Sequence, residues 1–369
     1  MKANLHCYKI YGSSESYSGK EFEMPSETPI VINEFLQHNI TIKLHIGNIS
    51  NELKDAVIIN QALANDNPLI PSDTPRLRGD ELISLALEQN RTKNIFTNKR
   101  WLLAIEAIVE IEVPEKKLPN MGKHFWLDVN YARETWKEYQ SLLKSSFDNV
   151  MGFVIPYIGE EFVDSLISDH YYYEPIHNDY GYFTFPEYSA SCRMWSQQSI
   201  ESIDIATINK ILVKLKDQPK KLKFINTVRH WYLNTVNETD QWKVFLWSFW
   251  GLEVLSKKYQ DRYYDKIKGD TPTEQGLVSD GHSFEAHVLQ SLLPEKNRVP
   301  LIASFAIMST ILNPNDSSSD TKHFKKLVKL RNSLSHGQAI DDSQLPAHQI
   351  QQLFHKYYKL AIDDMLKNA

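Results

Sequence analysis

The hydrophobic and polar positions of the chain change their period between its two parts. In residues 1–115, short runs of β-branched side chains are separated by Asn, Gly and Ser, and the run 40–46 alternates as a half-buried strand does. The pattern predicts strands over 30–32, 40–46, 56–59 and 105–113. The first part of the chain is therefore expected to be rich in strands.

Helical spacing replaces this alternation from residue 129 onward. Apolar side chains first recur at steps of three and four residues at Trp136, Tyr139, Leu143 and Phe147, before Pro156 and Gly159 break the pattern. From residue 196 to the end, the spacing predicts helices over 199–216, 221–235, 240–267, 284–293, 299–312, 321–336 and 346–367. The last part of the chain is therefore expected to be an all-α bundle.

An aromatic segment lies between these two parts. Residues 171–188 contain eight Tyr and Phe side chains, and the sequence Asn178-Asp179-Tyr180-Gly181 is typical of a turn between two short strands. Such side chains can stack on unpaired bases, but they more often form cross-strand pairs in a core. We adopt the core interpretation for this segment.

These changes of period divide the chain into three regions. They are a β-rich recognition or sensor domain over 1–128, a helical and aromatic connecting region over 129–195, and a helical domain over 196–369. A chain of 369 residues is long enough for two domains. The predicted fold class is α+β multidomain.

Composition narrows the classes of function. The net charge is −5, so any binding to nucleic acid requires a local basic patch. The two cysteines, Cys7 and Cys192, are far apart and no Cys/His motif of a zinc site occurs, so we expect no metal and no cofactor. No apolar segment has the length of a membrane span, and the N-terminus lacks the apolar core of a signal peptide. We therefore expect a cytoplasmic protein without a membrane partner.

One predicted helix, 321–336, carries the side chains most typical of chemistry. A Ser- and Asp-rich loop precedes it, Asp320 or Thr321 can serve as its N-cap, and Gly337 suits the left-handed position after its end. The helix is therefore expected to be well delimited at both ends.

Two faces of this helix differ in character. One face is apolar and includes Arg331, with Ser335 beside it. The other face joins Asn332 and His336, one turn apart, to the lysines Lys322, Lys325 and Lys329. A lysine-rich face is most often only solvated, and a His before a Gly cap can simply interact with the helix dipole.

An arginine on an apolar face needs an acceptor. Glu253 provides a candidate, because it falls on the apolar side of the predicted helix 240–267, together with Trp242, Leu246, Phe249 and Trp250. Two complementary buried charges on two helices of one bundle are expected to meet. The resulting pair can be structural or functional.

The sequence Arg331-Asn332 followed by His336 resembles the R-x(4–6)-H motif of HEPN-domain ribonucleases. The leucines around it, Gly337 and the aromatic helix that carries Glu253 are similar to those of the ApeA-like HEPN subgroup. The resemblance covers roughly the last 170 residues. It implies a HEPN-like helical domain that forms a homodimer or a higher homo-oligomer and brings two motifs into one RNA-cleaving site.

The resemblance implies a metal-independent endoribonuclease that leaves 2′,3′-cyclic phosphate and 5′-hydroxyl ends. His336 would be the general acid or base, and Arg331 would stabilise the phosphate. Asn332 would orient the substrate or the His, and Glu253 would hold Arg331 in place or take a direct catalytic part. The residues expected to bind the substrate are Lys325, Lys329 and Ser335.

Many relatives with this motif act in anti-phage defence or as toxins, with a second domain that senses a trigger. The expected partners are therefore RNA, further copies of the chain, and a protein or phage trigger that binds the N-terminal domain. The alternative is a non-catalytic HEPN-like scaffold that dimerises or binds a nucleotide or a protein. The absence of a second catalytic motif and the net negative charge favour that alternative.

Overall fold

The protein, described by a computed structural model, comprises two compact units, residues 1–217 and 218–369. The described residues are 2–14, 30–33, 40–47, 53, 55, 84, 88, 100–114, 120–121, 124–125, 129–158, 166–175, 183–184, 205–217, 219–236, 238–269, 277–279, 282–284, 299–337 and 339–367. A strand sheet belongs to the first unit and most of the second unit is helical, so the predicted α+β class is confirmed.

A six-stranded antiparallel sheet organises the first unit. Its strands are β1 (Lys2–Ser14), β2 (Ile30–Asn33), β3 (Ile40–Gly47), β4 (Arg100–Glu112), β7 (Leu166–Pro175) and β8 (Phe183–Thr184). They follow the order β2-β3-β4-β1-β7-β8. The other elements whose bounds lie within the described residues are the short pair β5 (Asn120–Met121) and β6 (His124–Phe125), and the helices α1 (Val129–Ile158) and α2 (Ile205–Asp217).

Strand β1 lies in the middle of this sheet, between β4 and β7. Ala3, Leu5 and Cys7 are buried on one face, and His6 and Tyr8 are buried on the other. Because both faces are covered, the strand does not show the pattern of a half-exposed strand, and our prediction missed it.

The predicted strands 30–32, 40–46 and 105–113 correspond to β2, β3 and β4. The strand predicted at 56–59 lies outside the described residues. Strands β7 and β8 pair with each other and flank the predicted turn, whose residues also lie outside the described part.

Helix α1 is tied to β7 by an aromatic contact. Trp136 stacks on Tyr171 with ring centroids 4.2 Å apart and planes inclined by 8°. Both side chains are buried, so this part of the aromatic segment belongs to the core, as we predicted.

The helical pattern was predicted to break at Pro156 and Gly159, but the helix includes Pro156. Helix α1 continues to Ile158. A proline in the last turn removes only one helical hydrogen bond, the one to the carbonyl of residue 152, and its fixed φ is compatible with the helix.

The first unit extends past the predicted boundaries at 128 and 195. Helix α2 contacts α1 and β2, and β7 pairs with β1. The predicted connecting region is therefore part of the first unit, which ends at Asp217. Of the predicted helix 199–216, residues 199–204 lie outside the described part.

Within its described residues, the second unit contains five helices. They are α3 (Pro219–Val236), α4 (Gln241–Gly269), α5 (Leu301–Leu312), α6 (Ser317–Ser335) and α7 (Ala347–Lys367). Helix α4 contacts α3, α5 and α7. The predicted helices 221–235, 240–267, 299–312 and 346–367 begin and end within two residues of the observed ones.

The second unit is not purely helical, which corrects the all-α prediction. Strands β9 (Leu277–Ser279) and β10 (His282–Phe284) form a hairpin. The sequence Asp280-Gly281 between them is a strong hairpin signal that the helical interpretation overlooked. The helix predicted over 284–293 begins on the last residue of β10, and its other residues lie outside the described part.

Buried aromatic rings connect the helices of the second unit. Phe305 of α5 stacks on Phe324 of α6 at 4.2 Å between centroids, and Phe324 stacks on Phe249 of α4 at 5.6 Å. Phe305 also meets Tyr357 of α7 edge to face at 5.1 Å. Such pairs contribute about 0.5–1.5 kcal/mol each beyond their buried area. They fix Phe249 beneath the residues of the candidate site.

Gly251 allows α4 and α7 to approach closely. A Cβ atom built at this position would lie 2.2 Å from Cζ of Phe354 on α7. Phe354 is fully buried and packs beside Tyr232 and Tyr358, so its ring is held on several sides. The rotation of α4 about its own axis therefore depends on this glycine.

Candidate functional site

Helix α6, which carries most of the candidate residues, begins at Ser317 rather than at 321. Asp316 occupies the N-cap position, but its carboxylate accepts a hydrogen bond from Lys356 at 3.0 Å instead of capping the helix. Asp320, which we predicted as a cap, lies in the first turn and accepts hydrogen bonds from Tyr357 and Lys356, each at 2.8 Å. These bonds tie the start of α6 to α7, which is why the helix begins earlier than predicted.

The end of α6 agrees with the prediction. Gly337 has φ of +87°, in the left-handed region, and its N–H donates to the carbonyl of Leu334 at 3.0 Å. The N–H of His336 donates to the carbonyl of Asn332, also at 3.0 Å. The His336 side chain is exposed at this end of the helix.

Arg331 and Glu253 meet, as predicted. Nη2 of Arg331 donates to Oε2 of Glu253 at 3.2 Å, and Nη1 donates to Oδ1 of Asn332 at 3.3 Å. The guanidinium also lies over the Phe249 ring, 4.9 Å from its centroid. The ion pair, the amide and the ring together hold the guanidinium in one place.

The pair is not buried, which corrects the prediction. The Arg331 side chain is 32% exposed and the Glu253 side chain 42% exposed. Of the four apolar side chains that we placed beside Glu253, only Phe249 is buried, and Trp250 is exposed. The buried stripe of α4 thus passes to one side of Glu253, and the guanidinium remains accessible to an anion. A half-exposed pair of this kind contributes about 0.2–1 kcal/mol to stability.

The basic face of α6 is exposed to solvent. Lys322, Lys325 and Lys329 are exposed, as are Asn332 and His336 on the same side of the helix. These charges are therefore available to a polyanion, although exposure alone is also what a solvated face would show.

Arg331 and His336 point in different directions. They are five residues apart, which corresponds to roughly 140° around an α-helix. Asn332 contacts Arg331, and the Ser335 hydroxyl donates to the Arg331 carbonyl at 2.9 Å. The structure thus groups Arg331, Asn332 and Glu253, and it separates His336 from them within one chain.

The residue types at this end of α6 suit phosphate chemistry. A guanidinium donates paired hydrogen bonds to phosphate oxygens, and lysines attract the backbone of a nucleic acid. An imidazole can accept or donate a proton near neutral pH. The site can therefore bind a phosphodiester. For proton transfer, a His336 side chain must also lie beside the bound phosphodiester.

A second cluster of ionisable side chains lies in the first unit, and sequence analysis missed it. Nδ1 of His6 and Oε1 of Glu106 are 2.5 Å apart, and Nε2 of His45 lies 3.6 Å from Oε2. All three side chains are at most 5% exposed. An ionised carboxylate can only accept, so Nδ1 of His6 carries the hydrogen of that bond.

The charge of Glu106 is stabilised by its neighbours. Burial raises the pKa of this carboxyl, but the polar contacts with His45 and His6 and the positive charges of His6 and Lys43 together hold the pKa well below its ordinary value. The pair registers of β1, β3 and β4 bring these side chains together. A signal was present in the sequence, because His6 and Glu106 sit at strand positions whose neighbours are apolar.

Among the described residues, no group of three or more His, Cys, Asp or Glu side chains has an arrangement that could hold a metal ion. No helix in that part of the chain combines the length and apolarity needed to cross a bilayer. Comparison with protein-family models, with curated proteins and with solved structures gives no match to this chain.

Proposed function

We propose that the second unit is a metal-independent endoribonuclease and that the chain acts as a defence or toxin effector. The observation that supports this proposal is the accessible Arg331 guanidinium, held by Glu253 and Asn332 at the end of a lysine-lined helix. An arginine that served only the core would be enclosed, whereas this one is partly open to solvent.

The proposed reaction is an internal transfer at one phosphodiester. The ribose 2′-oxygen attacks phosphorus and loses its proton to a base, while the bond from phosphorus to the 5′-oxygen breaks and that oxygen takes a proton from an acid. The products are a 2′,3′-cyclic phosphate and a 5′-hydroxyl. His336 acts as the acid or the base, and Arg331 stabilises the charge on the phosphorane oxygens.

Two copies of the chain can bring an Arg331 and a His336 side chain together. Arg331 and His336 diverge on one helix, so a two-fold dimer can place His336 of one copy beside Arg331 of the other. Leu330 and Leu334, near the end of α6, are only half-buried and can pack in such an interface. Lys325 and Lys329 then lie at the rim of a shared cleft.

We expect His336→Ala to lower the rate of RNA cleavage about 10²- to 10⁴-fold, because it removes the proton-transfer group. The assay uses the full-length protein and single-stranded RNA in EDTA, with the product ends identified chemically. His348→Ala removes another exposed His from the same unit and serves as the control, with wild-type activity expected. Cleavage that survives His336→Ala, or that disappears with the chelator, contradicts the proposed mechanism.

Mixing two inactive variants tests the shared site. Arg331→Ala and His336→Ala chains, combined and allowed to exchange subunits, form mixed dimers with one intact site each, so roughly a quarter of wild-type activity is expected to return. Each variant alone remains inactive. If the mixture is as inactive as its components, the two residues do not act across a dimer.

The alternative function is a non-catalytic scaffold, and one observation favours it. Arg331 already contacts a carboxylate, an amide and an aromatic ring of its own chain, as a purely structural arginine would. In that case the second unit dimerises or binds a nucleotide or protein, and the RNA assay above shows no cleavage by the wild-type protein.

A further inference from the structure

Trp250 is an exposed aromatic side chain on the outer face of α4. Its residue is 38% exposed, and among the described large apolar residues only Val213 is also classed as exposed. The ring meets Trp231 of α3 at 5.2 Å between centroids with the planes inclined by 62°, and Trp231 in turn meets His230 at 5.6 Å. An edge-to-face contact fixes the rings and leaves at least one face of each uncovered by the other.

Lysines flank Trp250 along the same helix face. Lys243 and Lys257 are each seven residues away, which places them on the same side of α4, roughly 10 Å to either end. Lys243 is exposed and lies 3.4 Å from Glu238, and Lys257 donates to the side-chain oxygen of Gln260 at 3.0 Å. This face of α4 thus carries an aromatic ring between two lysines, of which Lys243 is exposed and Lys257 is half-buried.

The same face of α4 includes Glu253, which contacts Arg331. Glu253 follows Trp250 by three residues, so the two side chains are neighbours one turn apart. Glu253 accepts the hydrogen bond from Arg331, which offsets the negative charge of this carboxylate. A ligand on Trp250 is therefore next to a guanidinium rather than to an unneutralised carboxylate.

We propose that Trp250 stacks on an unpaired base of single-stranded RNA whose backbone contacts Arg331 and the flanking lysines. This inference rests on the proposed ribonuclease function and assigns the substrate class of that site. An aromatic ring between cations recognises single strands, because every base has a π-face and only unpaired bases expose it. The series of Trp250, Trp231 and His230 can hold more than one base.

A second copy of the chain fits this face less well. In a two-fold contact centred on Trp250, the stripes of the two copies run antiparallel, so Lys243 of one copy meets Lys257 of the other. Like charges placed opposite each other oppose such a contact. RNA carries the complementary charge along its whole length.

The test measures binding of the full-length protein in the His336→Ala background, where the RNA stays intact. The probe is a fluorescently labelled single-stranded oligoadenylate, compared with the same strand in a duplex. Trp250→Ala is expected to weaken single-strand binding roughly 5- to 150-fold, while Trp250→Phe retains most of it. Val213→Ala removes the other exposed large apolar side chain of the described residues and is expected to leave the affinity unchanged.

The outcomes separate this inference from the proposed function. If Trp250→Ala binds RNA equally well in this background, and a Trp250→Ala protein with His336 intact cleaves RNA as well as wild type, the stacking role is overturned and the nuclease proposal stands. If Trp250→Ala changes the oligomeric state and not the RNA affinity, the face is an interface between copies and the inference is again overturned. Trp250→Phe keeps an aromatic ring at this position. If oligoadenylate no longer quenches the intrinsic tryptophan fluorescence of this variant, the result supports the stacking inference. A wild-type protein that binds no RNA overturns both proposals.

Discussion

Replacing Glu106 with alanine is expected to destabilise the first unit by about 3–5 kcal/mol. The side chain lies between His6 and His45 at the junction of β1, β3 and β4, with no more than 5% exposure for any of the three. Its removal leaves two buried imidazoles without their carboxylate and adds a cavity. Glu106→Gln, which keeps the shape and an acceptor, is expected to cost less, about 1–3 kcal/mol.

Urea unfolding followed by a short deuterium pulse measures this effect separately in each unit. Peptides from β1, β3 and β4 report on the first unit, and peptides from α4 and α7 provide an internal reference. Glu110→Ala is the matched control on the same strand, because its carboxylate pairs with Lys2 in solvent and contributes little. Equal unfolding midpoints for Glu106→Ala and Glu110→Ala would contradict the proposed role of the cluster.

The same cluster sets the acid sensitivity of the first unit. The pKa of Glu106 in the folded protein is lowered from its ordinary value of 4.5, so the unfolded state takes up a proton first as the pH falls. Its contribution is complete above that ordinary value and is lost progressively below it, toward the folded-state pKa. As the pH is lowered, the free energy of unfolding of the first unit is expected to fall more steeply in wild type than in Glu106→Gln. The deuterium pulse that measures it is applied at one fixed pH.

Gly251→Ala is expected to destabilise the second unit, although alanine is the better helix former. Alanine favours a helix over glycine by about 1 kcal/mol. Here the added Cβ would lie 2.2 Å from the Phe354 ring, and that ring is fully buried. Overpacking of a core typically costs 1–3 kcal/mol, and this contact is short enough for the upper part of that range. The net change is therefore a loss of roughly 1–2 kcal/mol, read from the urea midpoint of α4 and α7 peptides.

A second substitution identifies the cause. Phe354→Leu shortens the side chain that the new methyl group meets, and it costs stability on its own through a cavity. Combined with Gly251→Ala, it is expected to give a double variant that is less destabilised than the sum of the two single variants. Strict additivity, or a Gly251→Ala protein as stable as wild type, would show that α4 can shift without loss.

The helices of the second unit could be predicted because their apolar side chains recur with one period. The meeting of Arg331 and Glu253 could also be predicted, since each charge falls on the apolar side of its helix and requires a partner. Their exposure could not be predicted. It depends on the rotation of α4 about its axis, which Gly251 and Phe354 determine through contacts about 100 residues apart in sequence.

The sheet of the first unit was harder to predict from local patterns. Strand β1 is covered on both faces, and a strand of that kind does not alternate cleanly. His6 and Glu106 come together only through the register between β1 and β4, which no local spacing specifies. The candidate site in α6 was found because its residues are neighbours within one helix, whereas the buried cluster is assembled from three distant strands.

During synthesis, β1 is made long before the two strands that pair with it in the sheet. Its partner in β4 begins at Arg100, which pairs with Ser14, and its other partner reaches Pro175. At synthesis rates of about 5–20 residues per second, roughly 4–17 s pass between the two paired residues, and longer before β7 is complete. During that time β1 presents an unpaired backbone and several apolar side chains, which are the features that chaperones recognise and that aggregation exploits. The yield of folded protein in a cell should therefore depend more on the speed of translation through this region than on the fast-folding helices that follow it.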